Sequence, residues 1–421
     1  MALFLPLYID PGTGSMLFSI LIGVGATLYF LAKAALLKVK LFLSGKKSKN
    51  AVDASYKPYA VYCEGKQYWN VFKPVADEFE RRKLQLAYYT SAKDDPVFGA
   101  AYRYVKPEFI GEGNMAFARL NVMSAGFLLM TTPGLQVYQL KRSRNVQHYA
   151  HVLHMPNDAT TYRLYGLDYF DSVLLTGDYQ KDDIRALEKM RGIPEKQLVT
   201  VGCSYLDVLS YKIATVPLEH DPPFTVLVSP SWGASGLLMR YGEKLLDPLV
   251  QTGWRIIVRP HPQSKKSEPD MLSRLETRYT EKENLEWDYE RDNIYSMKKA
   301  DIMISDFSGI IFDYTFLCDR PVIYVNADMD LKPYDAWDLH KELWQFKILR
   351  KMGIRLEEKD FGQIAEVIRS AKDSPELAAA RKEAKRTAWM YIGEAGKNIA
   401  DFMIKTVGDQ NTAPTQKEVS A

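Results

Sequence analysis

A chain of 421 residues, 47% hydrophobic, 12% aromatic and 25% charged, carries enough apolar material for two globular domains, which excludes a disordered or fibrous class. Its 55 Lys and Arg against 52 Asp and Glu leave a net charge of +3, too small an excess for a surface that coats nucleic acid, so no nucleic-acid partner is expected. Cys63, Cys203 and Cys318 are odd in number and widely spaced, which argues against a disulfide framework or a close-spaced zinc site and fits a reducing compartment.

Pro11 to Ala32 contains no charged residue. At ~1.5 Å per residue, a helix of that length crosses the ~30 Å hydrocarbon layer with some tilt. No basic region precedes it and no small-residue cleavage pattern follows, so the pattern reads as an uncleaved anchor. Lys33, Lys38, Lys40, Lys46, Lys47 and Lys49 come after it, and only Asp10 is charged ahead of it. The positive-inside bias then places the chain from about residue 50 onward in the cytoplasm, as a single-pass protein of the cell membrane. A buried helix of a soluble domain is the alternative. No second span of comparable length follows.

Beyond the Lys-rich linker, short apolar runs alternate with longer amphipathic segments, the pattern of a parallel sheet wrapped in helices. Strands are expected at Tyr59 to Tyr62, Leu84 to Tyr89, Gly126 to Met130, His148 to Leu153, Ser172 to Leu175 and Leu198 to Val201. Tyr68 to Arg82 and Tyr179 to Met190 read as helices between them. A second series has strands at Thr225 to Val228, Trp254 to Val258, Ile302 to Ser305 and Val322 to Val325. Ser210 to Pro223, with Pro217, Pro222 and Pro223, is the expected hinge. The domains are therefore read as 1–50 anchor and linker, 51–215 first α/β domain, 216–374 second α/β domain, 375–407 C-terminal helix and 408–421 flexible tail.

Chemistry in such a fold belongs at the carboxyl ends of strands, where helix N-termini project positive charge. Three segments fall there. Ile257 to Pro262 ends an apolar strand in Arg259 and in His261, which is held between two prolines and so aimed rather than loose. Ala300 to Asp313 runs a buried strand into Ser305, Asp306, Ser308 and Gly309 and then an apolar helix. Hydroxyls, a glycine and free backbone N–H groups meet there as a phosphate site, although Ser308 and Gly309 would serve equally as a plain helix cap. Leu227 to Gly233 repeats the strand-to-turn pattern with Ser231 and with Trp232, an indole able to flank a base or sugar.

Together these segments resemble the CDP-glycerol glycerophosphotransferase family, which polymerises or primes teichoic-acid-like polyol phosphates. The resemblance rests on Arg259 to Pro262, Asp301 to Asp313 and Pro321 to Tyr324, on Gly202 to Leu209, and on Gly396 with Lys397, and it extends over about residues 150 to 405. It implies a GT-B-like architecture, two Rossmann-like domains facing a cleft, with the nucleotide on the second. It also implies that His154, within Val152 to Asn157, matches the family's first-domain histidine, although Leu153 and Met155 depart from that motif. His148, His151 and His154 lie three apart and offer a metal cluster as a rival reading. Strand alternation sends His151 to the face opposite His148 and His154, so a single positioned base is favoured and no metal is expected.

The implied reaction moves a polyol phosphate from a CDP-activated donor to a hydroxyl of a lipid-linked or polymeric envelope acceptor. His154 is the expected general base and His261 a second catalytic group. Arg259, Ser305, Asp306, Ser308, Gly309, Asp313, Ser231 and Trp232 are expected at the donor and its phosphates. As an anion, Asp306 is expected to bond backbone N–H groups or a ribose hydroxyl. No cofactor is implied. A GT-B glycosyltransferase using a nucleotide sugar, or a non-catalytic membrane protein that binds a polymer or nucleotide, are the competing classes.

Overall fold

Two parallel sheets carry the fold of the computed structural model, which describes residues 55–217, 220–290, 292–325 and 329–412. The expected span at Pro11 to Ala32 and its Lys-rich linker lie outside the described residues. Among the described residues, no helix is long and apolar enough to cross a membrane.

The first sheet has the order β3-β2-β1-β4-β5-β6-β7. Its strands are β1 (Lys57–Cys63), β2 (Leu86–Thr90), β3 (Val105–Phe109), β4 (Ser124–Met130), β5 (Asn145–Val152), β6 (Ser172–Leu175) and β7 (Gln197–Thr200). The second has the order β10-β9-β8-β11-β12-β13. It comprises β8 (Thr225–Val228), β9 (Arg255–Val258), β10 (Leu285–Trp287), β11 (Ile302–Ser305), β12 (Val322–Val325) and β13 (Gly353–Leu356). Every residue of β6, β8, β11 and β12 is buried, as expected of strands covered by helices on both faces, and these are the short Val, Ile and Leu runs that the sequence marks.

Each sheet changes winding direction once. In the first, β2 and β3 lie on one side of β1 and β4 on the other; in the second, β9 and β10 lie on one side of β8 and β11 on the other. Loops leaving neighbouring strands at such a point diverge and open a crevice at the carboxyl edge.

The chain differs from the sequence reading at its C-terminal end. Where one helix is expected over 375–407, Pro375–Ala388 and Ala395–Thr412 form two, separated by a turn in which Tyr391 and Gly393 take positive φ. Asp207 fixes that turn, accepting hydrogen bonds from Trp389 Nε1 (2.8 Å) and from the backbone N–H groups of Gly393 (2.8 Å) and Ala395 (3.1 Å). The last helix then returns to the first domain, where Ile399, Ala400 and Met403 share a core with Val61, Phe72 and Phe127. That anchoring carries the helix on to Thr412, through Gly408 to Thr412 that read as tail. The expected hinge is likewise partly helical, because Ser204–Thr215 buries Leu206, Leu209 and Ile213 against Leu227, Ile257 and Met303 of the second domain.

Further bonds bolt the halves together. Asp158 accepts the N–H groups of Trp344 (2.9 Å) and Gln345 (2.8 Å), and the buried Arg191 guanidinium spans Asp168, Asp335 and Asp338 at 2.6–2.8 Å. The cleft between the sheets is therefore held by many fixed contacts.

Candidate active site

In the second domain, register pairs Val228 with both Val258 and Ile304, so the chain leaves the sheet at one level at Ser229, Arg259 and Ser305. Asp306 organises the turns that follow. Its carboxylate is 1% exposed and accepts the N–H of Ser231 (3.0 Å), the hydroxyl of Ser231 (2.9 Å), and the N–H groups of Leu237 (3.0 Å) and Ser308 (3.1 Å). This is the backbone role expected of an anion. Burial raises its pKa and those hydrogen bonds oppose the rise. The buried Ser305 hydroxyl donates to the Ser229 carbonyl (2.6 Å). Ser305 and Ser231, expected at the phosphates, thus build the turn beneath the cleft.

Above them a cleft of ≈ 760 Å³ is lined by Arg259, His261, Ser308, Gly309 and Asp313, among others, a size that admits a nucleotide. The Ile310–Cys318 helix points its N-terminus there. The backbone N–H groups of Gly309 and Ile310 have no protein acceptor among the described residues, which leaves them for an anion. His261 Nδ1 accepts the N–H of Gln263 (3.1 Å), so the proton of the neutral ring sits on Nε2 and that nitrogen is a donor. Burial lowers its pKa, which favours this neutral form. The half-exposed Trp232, expected at the donor, lies 6.3 Å from His261 between ring centroids but is not among the residues that line the cleft.

Arg259, read as a cation for the diphosphate, is ion-paired with Asp288 (2.6 Å) and donates to the Glu290 carbonyl (2.6 Å), which ties the end of β9 to the loop after β10. Asp313 accepts from the Tyr205 hydroxyl at 3.2 Å, and burial pushes its pKa up to about 7, so near neutral pH it is able to donate as well as accept. Lys66, Lys212 and Tyr205 also line the cleft, and the sequence reading missed them. Lys66 follows β1 directly at Gly65, the one local signal that marks it.

His154 approaches from the first domain. Its Nδ1 lies 2.9 Å from the Thr131 hydroxyl and 3.3 Å from that of Tyr162, and the Tyr68 ring packs edge-on at 5.3 Å. Burial pushes its pKa down to about 4, so the imidazole is neutral near pH 7. The expected pairing of His148 with His154 on one face does not hold. β5 ends at Val152, and past that point alternation no longer governs direction. His148 stacks on Phe127 at 4.8 Å, whereas His151 and His154 both face Tyr162, at 5.0 and 6.4 Å. Among the described residues, no group of three His, Cys, Asp or Glu side chains is placed to hold a metal ion.

Within the cleft the two domains touch at Gly309. A Cβ on Gly309 would come within 2.7 Å of Met155 Cε, the end of a flexible side chain, and 3.4 Å of the Asn157 amide, so the loop that carries His154 packs closely against the turn after β11.

Residues 175–339 match the CDP-Glycerol:Poly(glycerophosphate) glycerophosphotransferase family. That segment is therefore glycerophosphotransferase-like, and it carries the strand-end motifs of the second domain. The match contains Arg259, His261 and the 305–313 turn, while His154 lies outside it; the resemblance read from the sequence runs further, over about 150 to 405. No curated protein matches the chain. Among solved structures, the Wall Teichoic Acid Polymerase TagF aligns with a TM-score of 0.54 at 15% identity, covering 90% of this chain and 98% of that one. The same polymerase soaked with CDPG aligns at 0.52 with 15% identity and the same coverage. UDP-GlcNAc 2-epimerase from Neisseria meningitidis, bound to UDP-GlcNAc, gives 0.52 at 14% identity, covering 82% and 99%. At such identities the likeness is one of fold: parallel α/β domains of GT-B-like type.

Proposed function

We propose that the glycerophosphotransferase-like chain moves a polyol phosphate, glycerol phosphate or a close relative, from a CDP-activated donor to a hydroxyl of a lipid-linked or polymeric envelope acceptor. The observation that carries this reading is the contact at Gly309, which brings the loop of His154 against a helix N-terminus already flanked by His261. The diphosphate lies on the Gly309 and Ile310 amides and His261 Nε2–H donates to it, while Lys66 and Lys212 line the cleft ion-paired with Asp94 and Asp292. The acceptor oxygen bonds to the phosphorus of the polyol phosphate. The bond from that phosphorus to the CMP oxygen breaks, its electron pair leaves on CMP, and the acceptor proton passes to His154 Nε2. For that, His154 Nδ1–H donates to Thr131 Oγ1, which leaves the Nε2 lone pair free.

Ser308→Asp tests the donor assignment, because it sets a second anion beside the phosphates. Calorimetry with CDP-glycerol is expected to show binding weakened about 10-fold or more; unchanged affinity would contradict the placement.

The membrane assignment also belongs to this proposal. Pro11 to Ala32 spans the cell membrane with the catalytic domains cytoplasmic, and the following lysines meet anionic lipid. Extraction then requires detergent, and recovery of the full chain in a salt wash would count against it. A nucleotide-sugar transferase is the competing reading, since the UDP-GlcNAc epimerase shares the fold to a similar degree.

A further inference from the structure

Past Lys66 and Gln67 the cleft continues into a second groove of ≈ 510 Å³, which those two residues line as well. It runs along the carboxyl edge of the first sheet, on the β1-β2-β3 side of the winding reversal. Register sets Cys63 beside Thr90 and Thr90 beside Phe109, so the loops after all three strands open onto it. Glu64, Ser91, Lys93, Asp94, Glu112 and Phe117 lie along its walls.

Carboxylates outnumber ammonium groups in this groove. Lys66 is ion-paired with Asp94, and Lys93 sits over the Phe109 ring at 5.5 Å. Glu64 accepts from the Thr132 hydroxyl at 3.0 Å and, like Glu112, forms no ion pair among the described residues. The 7% exposed Ser91 hydroxyl shares a hydrogen bond with that of Tyr62 at 2.9 Å. Lys66 and Asp94 neutralise each other, which leaves the carboxylates of Glu64 and Glu112 against the ammonium of Lys93. Ionised carboxylates only accept hydrogen bonds, so Glu64 and Glu112 suit a ligand that brings hydroxyl donors. The half-buried Phe117 ring adds an apolar surface for a C–H face. A phosphodiester in the same place would set like charges a few ångströms apart with little positive charge to screen them.

We propose that this groove holds the acceptor, and that the unit it holds is an uncharged, hydroxyl-bearing sugar or polyol rather than a phosphodiester chain. The inference rests on the transfer reading above. The acceptor hydroxyl extends from the groove past Gln67 toward His154, forms the new O–P bond, gives its proton to His154 Nε2, and releases CMP with the bonding pair.

The test uses the full chain in detergent with CDP-glycerol and two acceptor probes, an alkyl disaccharide with an uncharged headgroup and an oligo(glycerol phosphate), and compares kcat/KM from CMP release. The disaccharide is expected to be favoured about 10-fold or more. Glu112→Lys, at an exposed loop position, is expected to narrow that ratio about 10-fold and Lys93→Glu to widen it, both with the CDP-glycerol dissociation constant unchanged. Equal or better use of the oligomer by the parent, or a ratio that neither variant moves while donor binding stays intact, overturns the inference and leaves the donor assignment standing. Failure of CDP-glycerol to bind overturns both.

Discussion

His154→Ala is expected to lower turnover about 100-fold or more while the dissociation constant of CDP-glycerol stays within about twofold. The substitution removes the proton acceptor and leaves the Gly309 and Ile310 amides and His261 untouched. His261→Ala is expected to behave differently, lowering turnover and weakening donor binding together, because in the proposed arrangement its Nε2–H donates to the diphosphate. Rate and dissociation constant measured on both variants separate the roles. Normal turnover by His154→Ala would move the base elsewhere. Acidity gives a second readout. Burial holds the His154 pKa at about 4, below the usual 6.5, so the neutral, proton-accepting form persists as pH falls through 6 and is lost only on approach to 4. The acid limb of kcat/KM is therefore expected well below pH 6.5.

Asp306→Ala is expected to destabilise the protein by about 3 kcal/mol or more and to abolish donor binding. Four donors lose their acceptor at once: the N–H and hydroxyl of Ser231 and the N–H groups of Leu237 and Ser308. A buried donor left unmatched costs about 1–3 kcal/mol, and relief of the carboxylate's own desolvation offsets only part of the sum. Ser231→Ala removes a single hydroxyl and is expected to cost about 1 kcal/mol. Urea denaturation of both variants checks the ranking, and parent-like stability of Asp306→Ala would show that the turn is held by other contacts.

What was legible in the sequence follows from which interactions are local. Interior strands such as Thr225–Val228 and Ile302–Ser305 are buried on both sides and stand out as apolar runs. The strands that escaped, Val105–Phe109, Leu285–Trp287 and Gly353–Leu356, are all edge strands with exposed positions, and the first contains Pro107, which an edge tolerates. The same division runs through the site. His261 and the 305–313 turn are contiguous motifs at strand ends and were read directly. Arg259 looked like a free cation because Asp288, its partner, lies on a neighbouring loop that only sheet pairing brings near. Lys66 and Lys212 carry no motif, and Tyr205 lies within the Gly202 to Leu209 segment without a chemical signal of its own; all three enter the cleft through the packing of two domains. The direction of His154 depends on where β5 stops: the strand ends at Val152, two residues short of it, so alternation does not fix its face.

The most direct measurement of the central claim is the nucleotide that the full chain releases in detergent when CDP-glycerol, CDP-ribitol and UDP-sugars are offered one at a time with a hydroxyl-bearing acceptor. Transfer of a polyol phosphate predicts CMP from one of the CDP donors, together with an acceptor heavier by that polyol phosphate. Release of UDP from a nucleotide sugar, with glycosylated acceptor and no CMP from either CDP donor, would contradict it.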